Sequence, residues 1–508
     1  MSLLRISLWL TFWAAFSLEG FQSESKAEEK PTSTSQELVK ISAIIESVST
    51  DGTSTVLAKP VYAVPVGHWS TFEDMREITY PTAYDLPSIP RKFEKDATGG
   101  GTNDRQSSEP NWTTNTKNMV IPSHPTKFEK RDHGLKLKFR PRINSTGGVI
   151  VDCIVDQTVF GGFSHEGIPI VMKTQRTHGG KPKEIPLLKN DQRKAVFHSR
   201  RQELVFLPTK AGHVSKILSD QVVSGSDSKE GNAKYPQLKV SLSAERLTKQ
   251  DRPERKTPIP ENIAIFVSIK AIECPDLIAP DSMVLSDSEL QILIRKLSQQ
   301  KGVDLMTAPA ILLPKGQSGK VEVVREFIYP THYTAPELLS ENSEGTESEE
   351  GDIYPVTPAT PDQFETYNTG VSIEVIARVL RDKRIELELN PKVTEFEEFV
   401  NFGAPIINFD KNKFGKHRQT VMSENRIEMP RFQRHEISTI VQIPDGGSTI
   451  LGGFIREDIQ TVEDKIPILG DLPLIGHLGR SEVEHHIKRY LYFVVTAHLV
   501  DNEGNPIE

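Results

Sequence analysis

Between Gly370 and Leu389, Val371, Ile373 and Val375 alternate with Ser372 and Glu374; Ile385, Leu387 and Leu389 alternate with Glu386 and Glu388 beyond a polar turn at Arg381 to Arg384. An apolar side chain at every second position marks a strand with one dry face, so the segment predicts an antiparallel hairpin. Ile437, Thr439, Val441 and Ile443 repeat the alternation ahead of Asp445, Gly446 and Gly447. Glycine there supplies the positive φ of a tight hairpin turn. From Tyr490 the run "YLYFVVTAHLV" is almost continuously apolar, as in a strand covered on both faces, by protein alone or with lipid on one side. One segment changes period. Ser286 and Glu289 have capping-box spacing, and Leu290, Leu293, Ile294 and Leu297 make one stripe, which predicts a helix near Ser288 to Gln299.

These patterns occur twice. "KPVYAVPVGHWSTFEDMREITYPTAYDLP" from Lys59 and "APAILLPKGQSGKVEVVREFIYPTHYTAP" from Ala308 place Pro60, Gly67, Arg76, Glu77, Tyr80 and Pro81 on Pro309, Gly316, Arg325, Glu326, Tyr329 and Pro330 at constant spacing. "FEKRDHGLKLKFRPRI" from Phe128 falls likewise on "FETYNTGVSIEVIARV" from Phe364, in a register that holds to Gly167 and Gly403. Register kept that long predicts an internal duplication. The boundaries read as a degenerate first copy over 39–247, a charged, proline-rich linker over 248–262, a second copy over 263–500 and a tail over 501–508. No counterpart of the helix is visible in the first copy. The fold class expected is mainly β with minor α.

Arg5 followed by "ISLWLTFWAAFSL" has the charged and apolar regions of a secretory signal peptide, placed at residues 1–27. The run is shorter than the roughly 20 residues of a spanning helix, which ranks a membrane anchor second. A net charge of -8 without a clustered basic face argues against nucleic acid as partner. Cys153 and Cys274 are the only cysteines; they can pair after export but make no disulfide framework. No enzyme is expected. His485 and His486 point to opposite faces of a strand without a ligand partner at metal spacing, and the adjacent Arg76-Glu77 and Arg325-Glu326 pairs read as cross-strand partners. No cofactor or metal site is expected. The polar stretches Glu94 to Asn118 and Glu337 to Asp352 read as exposed excursions, in the first place as disordered loops.

The least ordinary stretch is "DKIPILGDLPLIGHLGR", Asp464 to Arg480. Gly470-Asp471 and Gly476-His477 read as corners, and Pro467 and Pro473 prevent ladder pairing between them. Leu474 and Ile475 belong to its apolar anchors. Such a segment can lie between subunits or pin the last strand to its own sheet. In the order "GVSIEVIARV", "RHEISTIVQIPDGGSTILGGFI", "DKIPILGDLPLIGHLGR" and a terminal apolar strand, residues 263–500 resemble the C-terminal domain of the secretins, the outer-membrane pore subunits of type II and III secretion and type IV pilus systems. The resemblance implies a homo-oligomeric ring closing into a gated β-barrel in the outer membrane with a periplasmic portion, and in its terms the two polar stretches stand where gate-forming hairpins would emerge. Exported proteins and secretion-machinery components are the partners it implies. Its signature and assembly residues would be Asp445, Gly446, Gly447, Gly452, Gly453, Pro467, Gly470, Asp471, Pro473, Leu474, Ile475 and Gly476. Secretins ordinarily carry small α/β ring-forming modules ahead of the pore domain. Here the first copy occupies that place. The alternative is an exported β-rich scaffold that keeps the fold without a pore.

Overall fold

Each long strand has one apolar face, and such a face is stable only against another. The structure, a computed structural model, describes residues 37–49, 52–88, 119–167, 170–173, 184–188, 192–207, 214–218, 237–247, 263–275, 278, 284–338, 356–380, 382–411, 417–465, 480–501 and 504–507. The first half forms β1 (Leu38–Val48), β2 (Ser54–Pro65), β3 (Ser70–Tyr84), β4 (Met119–Val120), β5 (Pro125–Ile143) and β6 (Val149–His165). It continues with β7 (Ile170–Lys173), β8 (Glu184–Leu188), β9 (Arg193–Phe206), β10 (Val214–Leu218) and β11 (Gln237–Leu247). The second half runs through β12 (Ala264–Cys274), β13 (Val284–Leu285), the helix α1 (Asp287–Ser298), β14 (Asp304–Thr307), β15 (Ala310–Pro314) and β16 (Ser318–Tyr333). Then come β17 (Glu337–Leu338), β18 (Val356–Thr357), β19 (Pro361–Val379), β20 (Ile385–Asn401) and β21 (Ile406–Lys411). β22 (His417–Ser423), β23 (Glu428–Ile443), β24 (Ser448–Lys465) and β25 (Arg480–Val500) complete it.

Two antiparallel sheets carry the architecture. The ten-stranded sheet runs β10-β11-β1-β2-β24-β25-β12-β14, with β15 also on β12 and β13 on β24; the eight-stranded sheet runs β16-β19-β20-β23-β3-β5-β6-β9. One core lies between them, with Ile41, Tyr62 and Leu451 from the first sheet against Phe139, Leu387 and Ile437 from the second. The predicted hairpin is β19–β20: Val371, Ile373, Val375, Ile385, Leu387 and Leu389 are all buried, and Leu380 N donates to Arg384 O at 2.8 Å across the turn.

α1 begins with the predicted capping box, Ser286 N donating to Glu289 Oε2 at 2.6 Å and Glu289 N to Ser286 Oγ at 3.3 Å. It buries Leu290 and Leu297 in a second cluster with Ile272, Cys274, Tyr492 and Val494. β25 is thereby covered on both faces by protein, because Leu491, Phe493 and Val495 enter the core between the sheets. Cys153 and Cys274 are buried thiols in these two different clusters and form no disulfide with each other.

The turn after β23 differs from expectation. β23 belongs to the eight-stranded sheet and β24 to the ten-stranded one, so Asp445-Gly446-Gly447 is a corner between sheets and not a hairpin. Alternation shows which face of a strand is dry, and both strands here keep a dry face toward the same core.

Strand order and register recur across the chain. β16, β19, β20 and β23 follow one another as β3, β5, β6 and β9 do, and β24, β25, β12 and β15 follow as β10, β11, β1 and β2 do. Pro81 stands opposite Phe128 and Pro330 opposite Phe364, each just before a register shift. Gly134 (φ +140°) and Gly370 (φ +130°) lie so close to the neighbouring strand that a Cβ would fall 2.2 Å from Asp74 O and 2.3 Å from Val323 O. The expected signal peptide, the linker, all of the first polar excursion and most of the second lie outside the described residues.

Candidate functional site

The two halves meet along a seam in both sheets. In the eight-stranded sheet β23 pairs with β3, Ile437 opposite Phe72 and His435 opposite Asp74. The ten-stranded sheet closes the seam with β2 on β24. Phe72 and Phe454 stack across the core with ring centroids 4.3 Å apart, and the buried Ser70 and Thr439 hydroxyls are 2.6 Å apart. His435 Nδ1 lies 3.2 Å from Asp74 Oδ1, and Gln433 Nε2 donates to the same oxygen at 3.3 Å. Burial alone would raise the Asp74 carboxyl; His435, Gln433 and Arg76 outweigh it and hold its pKa below the ordinary carboxylate value. On the outer face Arg434 joins Asp132 at 2.9 Å; on the face of Phe72 and Asp74, farther along the strands, Arg76 and Arg431 share Glu397 at 3.3 and 2.9 Å.

Two of the sequence-predicted residues sit on this seam. Val61 stands opposite Gly452 and Ala58 opposite Phe454, with Gly453 in the irregularity between. A Cβ on Gly453 (φ +99°) would fall 1.9 Å from Lys59 O, and one on Gly452 (φ +142°) 2.6 Å from Leu491 O. Glycine here lets β24 come against its neighbours. Asp445, Gly446 and Gly447 lie at the sheet-to-sheet corner: Asp445 Oδ1 accepts from Leu499 N at 2.7 Å and Gly446 N donates to Ala497 O at 2.9 Å. Only Gly446 has a positive φ, +71°; a Cβ on Gly447 would instead meet Pro444 Cδ at 2.8 Å. Pro467, Gly470, Asp471, Pro473, Leu474, Ile475 and Gly476 lie outside the described residues. β24 and β25 stay paired as far as Lys465 opposite Arg480.

Sequence reasoning missed Phe72, Asp74 and His435, whose partners lie in the other half. His133 beside the seam was also missed. It stands opposite Arg76, is 8% exposed and packs on Phe160 and Phe197 at 5.6 and 6.4 Å. Burial first, then the Arg431 and Arg76 cations, push its pKa from 6.5 down to about 4. A depressed folded-state value means that its stabilising contribution is complete above pH 6.5 and is lost as pH falls toward 4. That loss is on the order of 3 kcal/mol. Urea midpoints at pH 7.5 and 4 should differ less in His133→Gln than in the wild type; equal differences would remove His133 from the account.

Among the described residues no group of three His, Cys, Asp or Glu could hold a metal ion. The outer face of the eight-stranded sheet is polar, with Lys320, Glu322, Glu374, Lys392 and Glu436 lining one groove. No described helix is long and apolar enough to cross a membrane, which says nothing of crossing by strands.

Residues 296–501 match the family model Secretin, described as bacterial type II and III secretion system protein. Over 166 residues the chain is 27% identical to Competence protein E of Haemophilus influenzae, covering 33% of this chain and 33% of that one. Over 229 residues it is 25% identical to Secretin XcpQ of Pseudomonas aeruginosa, covering 45% of this chain and 29% of that one. The matches thus span a third or less of these relatives' own length. The solved type IV competence pilus secretin PilQ of Vibrio cholerae aligns with 92% of this chain and 62% of that chain at 13% identity and a TM-score of 0.20, too low to carry an argument.

Proposed function

We propose, from the match of residues 296–501 to the family model Secretin, that the chain is a wall subunit of an oligomeric, outer-membrane secretin-like channel serving protein secretion, a pilus or competence. The family match carries this reading. It falls on the half that holds β19, β23, β24 and β25, strands of 19, 16, 18 and 21 residues. A tilted strand needs only about 9–11 residues to span a bilayer. The polar face of the eight-stranded sheet suits an aqueous lumen. Asp445, Gly446, Gly447, Gly452 and Gly453 then serve to hold the wall's two sheets together, and the segment from Pro467 to Gly476 serves assembly.

Detergent extracts of membranes bearing the full chain, imaged by electron microscopy and tested in planar bilayers, provide the check. Rings from the outer-membrane fraction that conduct ions are the expected result. A soluble monomer without conductance would overturn the reading in favour of an exported scaffold.

A further inference from the structure

The internal seam has a second, uncompleted copy at the ends of the molecule. In the eight-stranded order the seam joins β23 to β3, and the order ends at β9 and β16. β9 stands in its half where β23 stands in the other, and β16 where β3 stands. The ten-stranded order ends the same way, at β10 on the side of β9 and at β14 and β15 on the side of β16.

We propose that chains join head to tail, β9 of one along β16 of the next, in the register of β23 on β3, so that each chain supplies two consecutive units of the wall. The proposal rests on the reading of the chain as a wall subunit, and it names the partner as a second copy of this chain.

Charge and exposure support it. At the seam Glu436 stands opposite Glu73, a like-charge pair that Arg434 approaches at 3.7 and 3.8 Å. The corresponding end positions follow from register: Arg201 faces Asp156 as Glu436 faces Lys392, and Glu322 faces Ser372 as Glu73 faces Lys136. Arg201 of one chain would therefore meet Glu322 of the next. Two residues along, where the seam has Ser438 opposite Thr71, Glu203 would meet Lys320. Both contacts are opposite-charge and lie on one face: Leu204 and Phe206 enter the core, as Val321 does from β16, leaving these four residues outward. Directly opposed unlike charges favour strand pairing and like charges oppose it. Exposed apolar side chains also occur at both ends, with Val205 49% and Ile217 59% exposed at one and Leu312 50% and Val323 51% at the other. At the completed seam Phe72 and Tyr62 are 0% exposed. Such uncovered edges are templates for another strand, and a head-to-tail contact closes into a ring when its rotation permits.

Cysteines give the test an internal calibration. Glu73→Cys with Glu436→Cys, across the seam, should cross-link within one chain. Arg201→Cys with Glu322→Cys in the full chain should give a ladder of covalent multimers on non-reducing gels, and neither single variant should. Arg201→Glu should reduce ring recovery, and adding Glu322→Arg should restore it. In ring images the wall units should number twice the chains counted by mass. Rings that lack the ladder while the internal pair cross-links, or that show one wall unit per chain, overturn this inference and leave the channel reading standing. Absence of any oligomer overturns both.

Discussion

Gly453→Val should destabilise the folded chain by about 3 to 5 kcal/mol and part β24 from β2 before the rest of the ten-stranded sheet is lost. Two costs add. The positive φ of +99° disfavours any side chain with a Cβ, and that Cβ would sit 1.9 Å from the Lys59 carbonyl oxygen, a backbone atom that cannot swing aside. Gly67 separates the two, because it has a comparable φ of +90° but nothing within 4 Å of the Cβ position. Gly67→Ala should therefore show the conformational cost alone, on the order of 1–2 kcal/mol, and Gly453→Ala the clash in addition. Denaturation midpoints measure both, and hydrogen exchange at β2 locates the damage. Equal losses at the two glycines would mean that the strands part freely and that Gly453 has no special role in joining the halves.

Phe72→Ala should cost about 3–5 kcal/mol, the usual range for removing a fully buried phenylalanine. Its ring comes from the eight-stranded sheet and the ring it stacks on, Phe454, from the ten-stranded sheet. The two rings also come from different halves, so one substitution loosens the contact between sheets and the contact between halves. Phe454→Ala should cost a similar amount, and the double variant less than the sum, because the partners share one contact. Strict additivity in that cycle would show that the rings act independently.

What was legible in the sequence was local. The β19–β20 hairpin and the cap of α1 depend on residues a few positions apart, and periodicity with capping chemistry is enough to find them. The continuous apolar run of β25 announced two covered faces, but not that α1 covers the second. The corner at Asp445 reads as a hairpin in the sequence because the same glycine chemistry serves both, and which sheet receives the next strand is decided by packing far away. The seam was the least legible element. Ser70 meets Thr439 across 369 positions, and neither carries any mark of its partner. Gly452 and Gly453 were singled out by resemblance alone; their physical reason, the approach of Lys59 and Leu491, appears only once the strands are side by side.

The seam of β23 on β3 joins partners carried by the same polypeptide, so it obeys unimolecular statistics. Its two sides meet at an effective concentration fixed by the connecting chain and not by how many molecules are present. Dilution cannot undo it. On the proposed arrangement of two wall units to a chain, a closed wall contains an even number of units whatever the number of chains. Mass action then governs only alternate junctions, so the wall has half as many places to come apart as a wall of the same circumference built from single units.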